Sequence, residues 1–223
     1  MKKLIVLLLT VLTTGVAPAL AQLHVDHSPK LKIGVTAGLN ITQMSVERSE
    51  MEAYVARNKS GFLMGPTLTY INLENGIGAD ASLLFDLRGA ERNSNTPPIK
   101  SHTVQVPVNF RYGINVNEMV YPFVFVGPQF GLNVGKKEQV FASGTGKTTG
   151  HPMSRLWVAA GTCVSLNFGI GIVAMEHVQA RVSYNLPLTK TGEFRQRDLE
   201  TGRETSYGTG KMGACQIQVS YLF

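Results

Sequence analysis

Polar and apolar residues alternate with a period of two along most of this chain, the spacing that sorts side chains onto the two faces of a β-strand. In residues 31–41, Leu31, Ile33, Val35, Ala37 and Leu39 share one face, while Lys32, Gly34, Thr36, Gly38 and Asn40 share the other. Residues 102–112 repeat the pattern, with Val104, Val106, Val108, Phe110 and Tyr112 opposing Gln105, Pro107, Asn109 and Arg111. Similar segments at 61–70, 77–88, 120–134, 155–167, 176–186 and 213–223 bring the expected strands to eight. Each runs for about ten residues, enough for a tilted strand to cross a bilayer. Beyond the N-terminal leader, no segment sustains the 3.6-residue apolar period of an amphipathic helix.

The connections alternate in length. Long polar stretches occupy 42–60, 89–101, 135–154 and 187–212, and short links occupy 71–76, 113–119 and 168–175. Long loops at one end and short turns at the other predict an all-β fold, an eight-stranded antiparallel up-and-down transmembrane β-barrel over residues 31–223. Both termini then fall on the periplasmic side of an outer membrane, and the long loops face outward. Tyr70, Tyr112, Tyr221 and Phe223 mark the periplasmic ends of apolar faces, and Phe62, Phe85 and Tyr184 lie nearer the opposite rim, as the two aromatic girdles of such barrels require. A soluble periplasmic barrel that turns its apolar face inward around an apolar ligand is the alternative. Loop asymmetry, aromatic placement and the inner-face glycines of the first strand favour the membrane. Pro66, Pro107, Pro122 and Pro128 each remove a ladder donor, which predicts bulges or strand ends there.

Lys2 and Lys3, an apolar run at 4–12 and the small-x-small site Ala19-Leu20-Ala21 predict a cleaved signal peptide at 1–21, followed by a flexible segment at 22–30. The apolar run is far shorter than the roughly 20 residues of a spanning helix. The chain carries 21 basic and 15 acidic residues, and removing Lys2 and Lys3 leaves 19 against 15, too mild an excess to imply nucleic acid. Cys163 and Cys215 are expected on opposite faces with a strand between them, Cys163 towards the lumen and Cys215 towards lipid. That spacing excludes a disulfide.

Candidate chemistry is sparse. Residues 143–150, SGTGKTTG, end like a phosphate-binding loop, but Phe141 stands where the pattern needs its first glycine and no helical run follows, so a flexible surface loop is expected. His24, third from the expected mature terminus, and His27 suggest Cu(II) or Ni(II) chelation only weakly, and no metal or cofactor is expected. Inner-face charges are more informative. Pairing the third strand with the fourth brings Asp80 opposite Arg111, with Lys32 near the same level, Asp86 and Arg88 higher, and His177, Gln179 and Arg181 lining the seventh strand. A membrane-embedded enzyme would use such a cluster for acid and base chemistry. Eight strands leave room only for their own side chains, and buried charges need partners, so structural pairing is expected instead.

The ending ACQIQVSYLF places Tyr221, Val219 and Ile217 on the same side as the C-terminal Phe223, and resembles the terminal signal by which barrel assembly machinery recognises its substrates. Together with IGVTAGLN, LLFDLRGAE, VQVPVNFRYG and YPFVFVGPQFGL, it resembles the small outer-membrane β-barrels of Bacteroidetes, among them PorT-like proteins of the porin family. The resemblance implies a cell-envelope protein surrounded by outer-membrane lipid, without catalysis, meeting a protein partner through its extracellular loops. Support of protein secretion is the narrower implication.

Overall fold

The computed structural model describes residues 30–47, 57–72, 75–91, 99–114, 116, 120–145 and 152–223. The expected signal peptide, His24, His27 and residues 146–150 of the glycine-rich loop lie outside them. Among the described residues there is no helix. The strands are β1 (Lys30–Glu47), β2 (Arg57–Ile71), β3 (Ile77–Ser82), β4 (Leu84–Glu91), β5 (Ile99–Gly113), β6 (Val120–Asn133), β7 (Glu138–Thr145), β8 (Pro152–Ala159), β9 (Thr162–Ala174), β10 (Val178–Pro187), β11 (Gly192–Asp198) and β12 (Glu204–Leu222).

Eight places in the wall form a closed antiparallel ring, β1, β2, β3 with β4, β5, β6, β9, β10 and β12, sealed by the pairing of β12 with β1. Closure leaves no free edge in the ring, and so no backbone donor or acceptor row facing lipid. The alternation seen in the sequence sets the two surfaces. Leu31, Ile33, Val124, Val126, Phe110 and Ile170 face outward with about half or more of their surface exposed, whereas Thr36, Asn40, Asn109, Gln179, Gln216 and Gln218 are at most 1% exposed inside. Apolar outside and polar inside is the arrangement of a barrel in lipid and the reverse of a soluble one.

Above this ring the wall changes strands. β6, β9 and β10 end at Asn133, Thr162 and Pro187, while β1, β2, β4, β5 and β12 continue upward. β11 pairs with the upper part of β12, β8 with β11, and β7 with β8. Gln139 of β7 reaches β5, its side-chain oxygen accepting from Lys100 N at 2.9 Å and its amide donating to Lys100 O. The extracellular region is therefore a second tier of sheet in which three new strands replace three that stopped.

Three expectations are corrected. The sixth spanning strand is Thr162–Ala174 rather than 155–167, and the link after it is the tight turn Met175, Glu176, His177 rather than 168–175. Residues 152–159 belong to the upper tier, and Trp157 with them. The prolines produce no register shift. The wall breaks at Leu83, between Pro66 on β2 and Pro107 on β5, yet β3 and β4 keep one register on β5 and, from Leu63 to Ile71, on β2. The shift on β2 comes higher, between Asn58 and Leu63, away from any of these prolines. A proline withholds one donor, and loss of one ladder bond does not require an extra residue.

Candidate functional site

The lumen is filled in layers. Its periplasmic floor is an apolar cluster of Ile71, Tyr121, Phe123, Phe125 and Val173, all at most 5% exposed, because β6 places an aromatic ring at three successive inner positions. Facing β9 supplies glycine there. A Cβ on Gly171 would lie 2.4 Å from the Phe123 ring, and one on Gly169 2.9 Å from that of Phe125. Tyr121 donates its hydroxyl to Gly76 O at 2.7 Å. At the mouth below, Lys30 reaches the Glu176 carboxylate at 3.0 Å, and Lys32 donates to Glu176 O at 2.7 Å and to the carboxylate at 3.2 Å. Met175 and Glu176 both have positive φ, 52° and 61°, the turn geometry that brings a hairpin back on itself. Partial burial would raise the Glu176 pKa, but the two lysine ammonium groups outweigh it and hold the carboxyl below its ordinary range.

Two belts of charge lie above the floor. In the lower one, Asp80 accepts from Arg181 at 2.8 Å and from Asn109 at 3.0 Å. Arg111 instead donates to Gln179 at 2.8 Å and lies 4.9 Å from the centre of the Phe123 ring. Asp80 stands opposite Asn109 in the ladder and Arg111 opposite Gly78, so the expected Asp80 and Arg111 pairing is two residues out of register. In the upper belt, Asp86 accepts from Arg88 at 2.7 Å and from Asn40 at 2.6 Å, and Arg88 also reaches Asn185, Met212 O and Gln105. Gln179 and Arg181 are buried inside, whereas His177 is exposed in the turn, where its ring meets Tyr221.

An apolar cap covers these belts. Met44, Ile99, Trp157, Ala159, Phe194 and Met212 form one buried cluster, with Val46 packed against it. Trp157 is fully buried, its ring 4.9 Å edge-on from that of Phe194. Gly192 and Gly210 leave it room, since a Cβ on either would come within 2.7 Å of the indole. Apolar floor, paired charges and apolar cap fill the interior with the barrel's own side chains.

Solvent-facing chemistry is concentrated on the outer face of the upper tier. Arg195 bridges Glu193 at 3.0 Å and Glu204 at 3.2 Å, Arg197 reaches Glu204 and Glu138, and Lys190 pairs with Glu193. Hydrogen bonds from Lys190 and Arg195 lower the Glu193 pKa, and those from Arg197 and Arg195 lower that of Glu204. Beneath this ladder a cleft of about 510 Å³ opens where β8 gives way to β9, lined by Val158, Gly161, Cys163, Val164, Lys190 and Glu193 among others.

Cys163 and Cys215 are both free, the first partly buried on the inner face and the second exposed on the outer. Among the described residues no group of three or more His, Cys, Asp or Glu could hold a metal. Residues 143–145 of the glycine-rich stretch are extended and paired with 152–154, a strand pairing rather than the strand-to-helix junction of a phosphate loop. Tyr221 and Phe223 lie at the closing seam with ring centres 5.3 Å apart, and Phe223 N donates to Ile33 O.

A family model described as outer membrane protein beta-barrel domain matches residues 20–193. The attachment invasion locus protein Ail of Yersinia pestis, solved in complex with the heparin analogue sucrose octasulfate, is 16% identical with a TM-score of 0.40, covering 87% of this chain and 99% of its own. A deltaS2 mutant of TodX, a monoaromatic hydrocarbon channel, is 9% identical with a TM-score of 0.38, covering 83% of this chain and 54% of its own. No curated protein matches the sequence.

Proposed function

We propose that this chain, which belongs to the outer membrane protein beta-barrel domain family and resides in the outer membrane of a Gram-negative bacterium, acts without catalysis as a surface-interaction protein through its extracellular tier. The observation that carries this reading is the sealed interior. Lys32, Asp80, Asp86, Arg88, Arg111 and Arg181 are engaged with the barrel's own groups, so they serve structure, and the groups left facing water crowd the upper tier. A rigid sheet above the membrane is better suited than a flexible loop to present a fixed pattern of charges to a partner, because less ordering entropy is lost on binding. Tyr221 and Phe223, facing lipid at the seam, serve as the terminal signal for barrel assembly machinery. Support of protein secretion, in the manner of PorT-like proteins of Bacteroidetes, is the narrower form of this reading and rests on the sequence resemblance.

Cross-linking of intact cells through Lys136, Lys137 and Lys190 tests it. Reproducible capture of one envelope or extracellular protein by these lysines is the expected result. Capture no greater than in cells lacking the protein contradicts it.

A further inference from the structure

We propose that the cleft at the change of strands is a docking site for the phosphorylated head of an outer-leaflet lipid. The inference rests on outer-membrane placement, and not on the tier having a protein partner. Four observations converge on it.

The first is position. Thr162 pairs with Leu132 and Val164 with Phe130, so the cleft begins at the upper limit of the lipid-facing surface, on which Phe130 and Leu132 are each about half exposed. The second is its lining. Val158, Ala160 and Val164 continue the apolar outer face upward into it, and about 510 Å³ lies within the range of small-molecule sites. An amphiphile whose chains lie in the bilayer can thus place its head in the cleft without leaving lipid. The third is charge. Lys190 and Arg195 line the cleft, and the exposed pair Lys136 and Lys137 lies next to its lining in the backbone, where Lys137 O accepts from Ala159 N at 2.7 Å. Glu193 is the carboxylate of the lining, pairing with Lys190 and Arg195, and Arg195 also reaches Glu204 outside it at 3.2 Å. Clusters of lysine and arginine at a bilayer surface recognise anionic headgroups, and charge-assisted bonds to phosphate are the strong ones. The fourth is room beside Gly161, exposed in the bend between β8 and β9. A Cβ placed on Gly161 meets nothing within 4 Å, although the backbone there is pinned by Asn133 N on Gly161 O at 2.9 Å and Ala160 N on Thr191 O at 2.8 Å. The space is held open by hydrogen-bonded backbone on both sides.

A phosphate arriving here would compete with Glu193 for Lys190 and with Glu193 and Glu204 for Arg195, with Lys136 and Lys137 adding positive charge beside the lining. Phosphorylated glycolipid of the outer leaflet supplies this chemistry at this depth.

Native mass spectrometry of the purified barrel in detergent tests the site, with diphosphoryl lipid A, fully dephosphorylated lipid A and inorganic phosphate as probes. The wild-type barrel is expected to retain the phosphorylated lipid about tenfold better than the dephosphorylated one, a clear step in affinity. Two variants should each remove that preference while keeping the faster gel migration of an unboiled, folded barrel. K136S/K137S/K190S withdraws charge, and Gly161→Trp fills the cleft with the charges left in place. Equal retention of the two lipids by the wild type overturns the proposal. So does undiminished preference in Gly161→Trp, which would put the lipid elsewhere, and so does full displacement by inorganic phosphate at matched concentration, which would make the ligand a soluble anion.

Discussion

Arg181 reaches across the lumen from β10 to donate to Asp80 of β3 at 2.8 Å, and neither side chain is more than 1% exposed. The two strands are not neighbours in the ring, so this ion pair ties opposite walls together. Removing one member of a buried pair strands the other charge, at a cost of about 3–5 kcal/mol. Arg181→Met should lower the unfolding free energy by that amount in detergent denaturation. Arg111→Met should cost less, about 1–2 kcal/mol, because Arg111 is held by Gln179 and aromatic faces and its loss leaves no carboxylate without a cation. Equal costs would contradict this division of roles.

Trp157 fills the centre of the cap, so Trp157→Ala should cost about 3–5 kcal/mol, the range for emptying a large aromatic site. The loss should be local. β8 and β11 pack through that cluster and β7 pairs with β8, whereas the spanning ring is hydrogen-bonded separately. Limited proteolysis should cut the variant within 134–161 and 188–211 while the spanning ring still migrates as a folded barrel. Loss of the folded migration would mean that the ring depends on its cap.

The Glu176 carboxyl titrates below its ordinary value of 4.5 in the folded barrel, through Lys30 and Lys32. A depressed folded pKa contributes stability that is present above the unfolded value and lost as pH falls through the folded one. Wild type should therefore exceed Glu176→Gln at pH 7 by up to about 1 kcal/mol, the scale of a partly exposed pair. The difference should vanish well below pH 4.5. A gap that is constant with pH would show that the turn, and not the ion pairs, sets the effect.

Cys163 and Cys215 face opposite sides of the wall, with β10 between β9 and β12. Reductant should leave gel mobility unchanged, and a membrane-partitioning maleimide should label Cys215 faster than Cys163. A mobility shift on reduction would require a different register for β9 or β12.

Period-two alternation made the spanning surfaces legible, since lipid outside and packed polar groups inside impose opposite demands on successive residues. The lower part of β9 escaped because Gly169 and Gly171 have the composition of a turn. They are small because Phe123 and Phe125 occupy their side of the lumen, a constraint set by another strand. The upper tier escaped for a different reason. In GEFRQRD only Phe194 is apolar and buried against Trp157, and outer-face charges on a sheet in water look like loop composition. The inner charges were found by parity, but parity gives the face and not the partner. Asp80 finds Arg181 across the lumen, and Glu176 enters the site from a turn, neither of which follows from neighbouring strands.

The proposed role at the outer surface goes with a lumen filled by the barrel's own side chains. Single-channel recording of the purified wild-type protein in planar bilayers tests it most directly. The sealed floor and cap predict a silent bilayer, with no stable ohmic steps across a range of voltages, while insertion is verified by proteolysis of the extracellular tier. Reproducible steps from the wild-type protein would contradict the account, because they would require an axial path through Phe123, Arg181 and Trp157 that the packing closes.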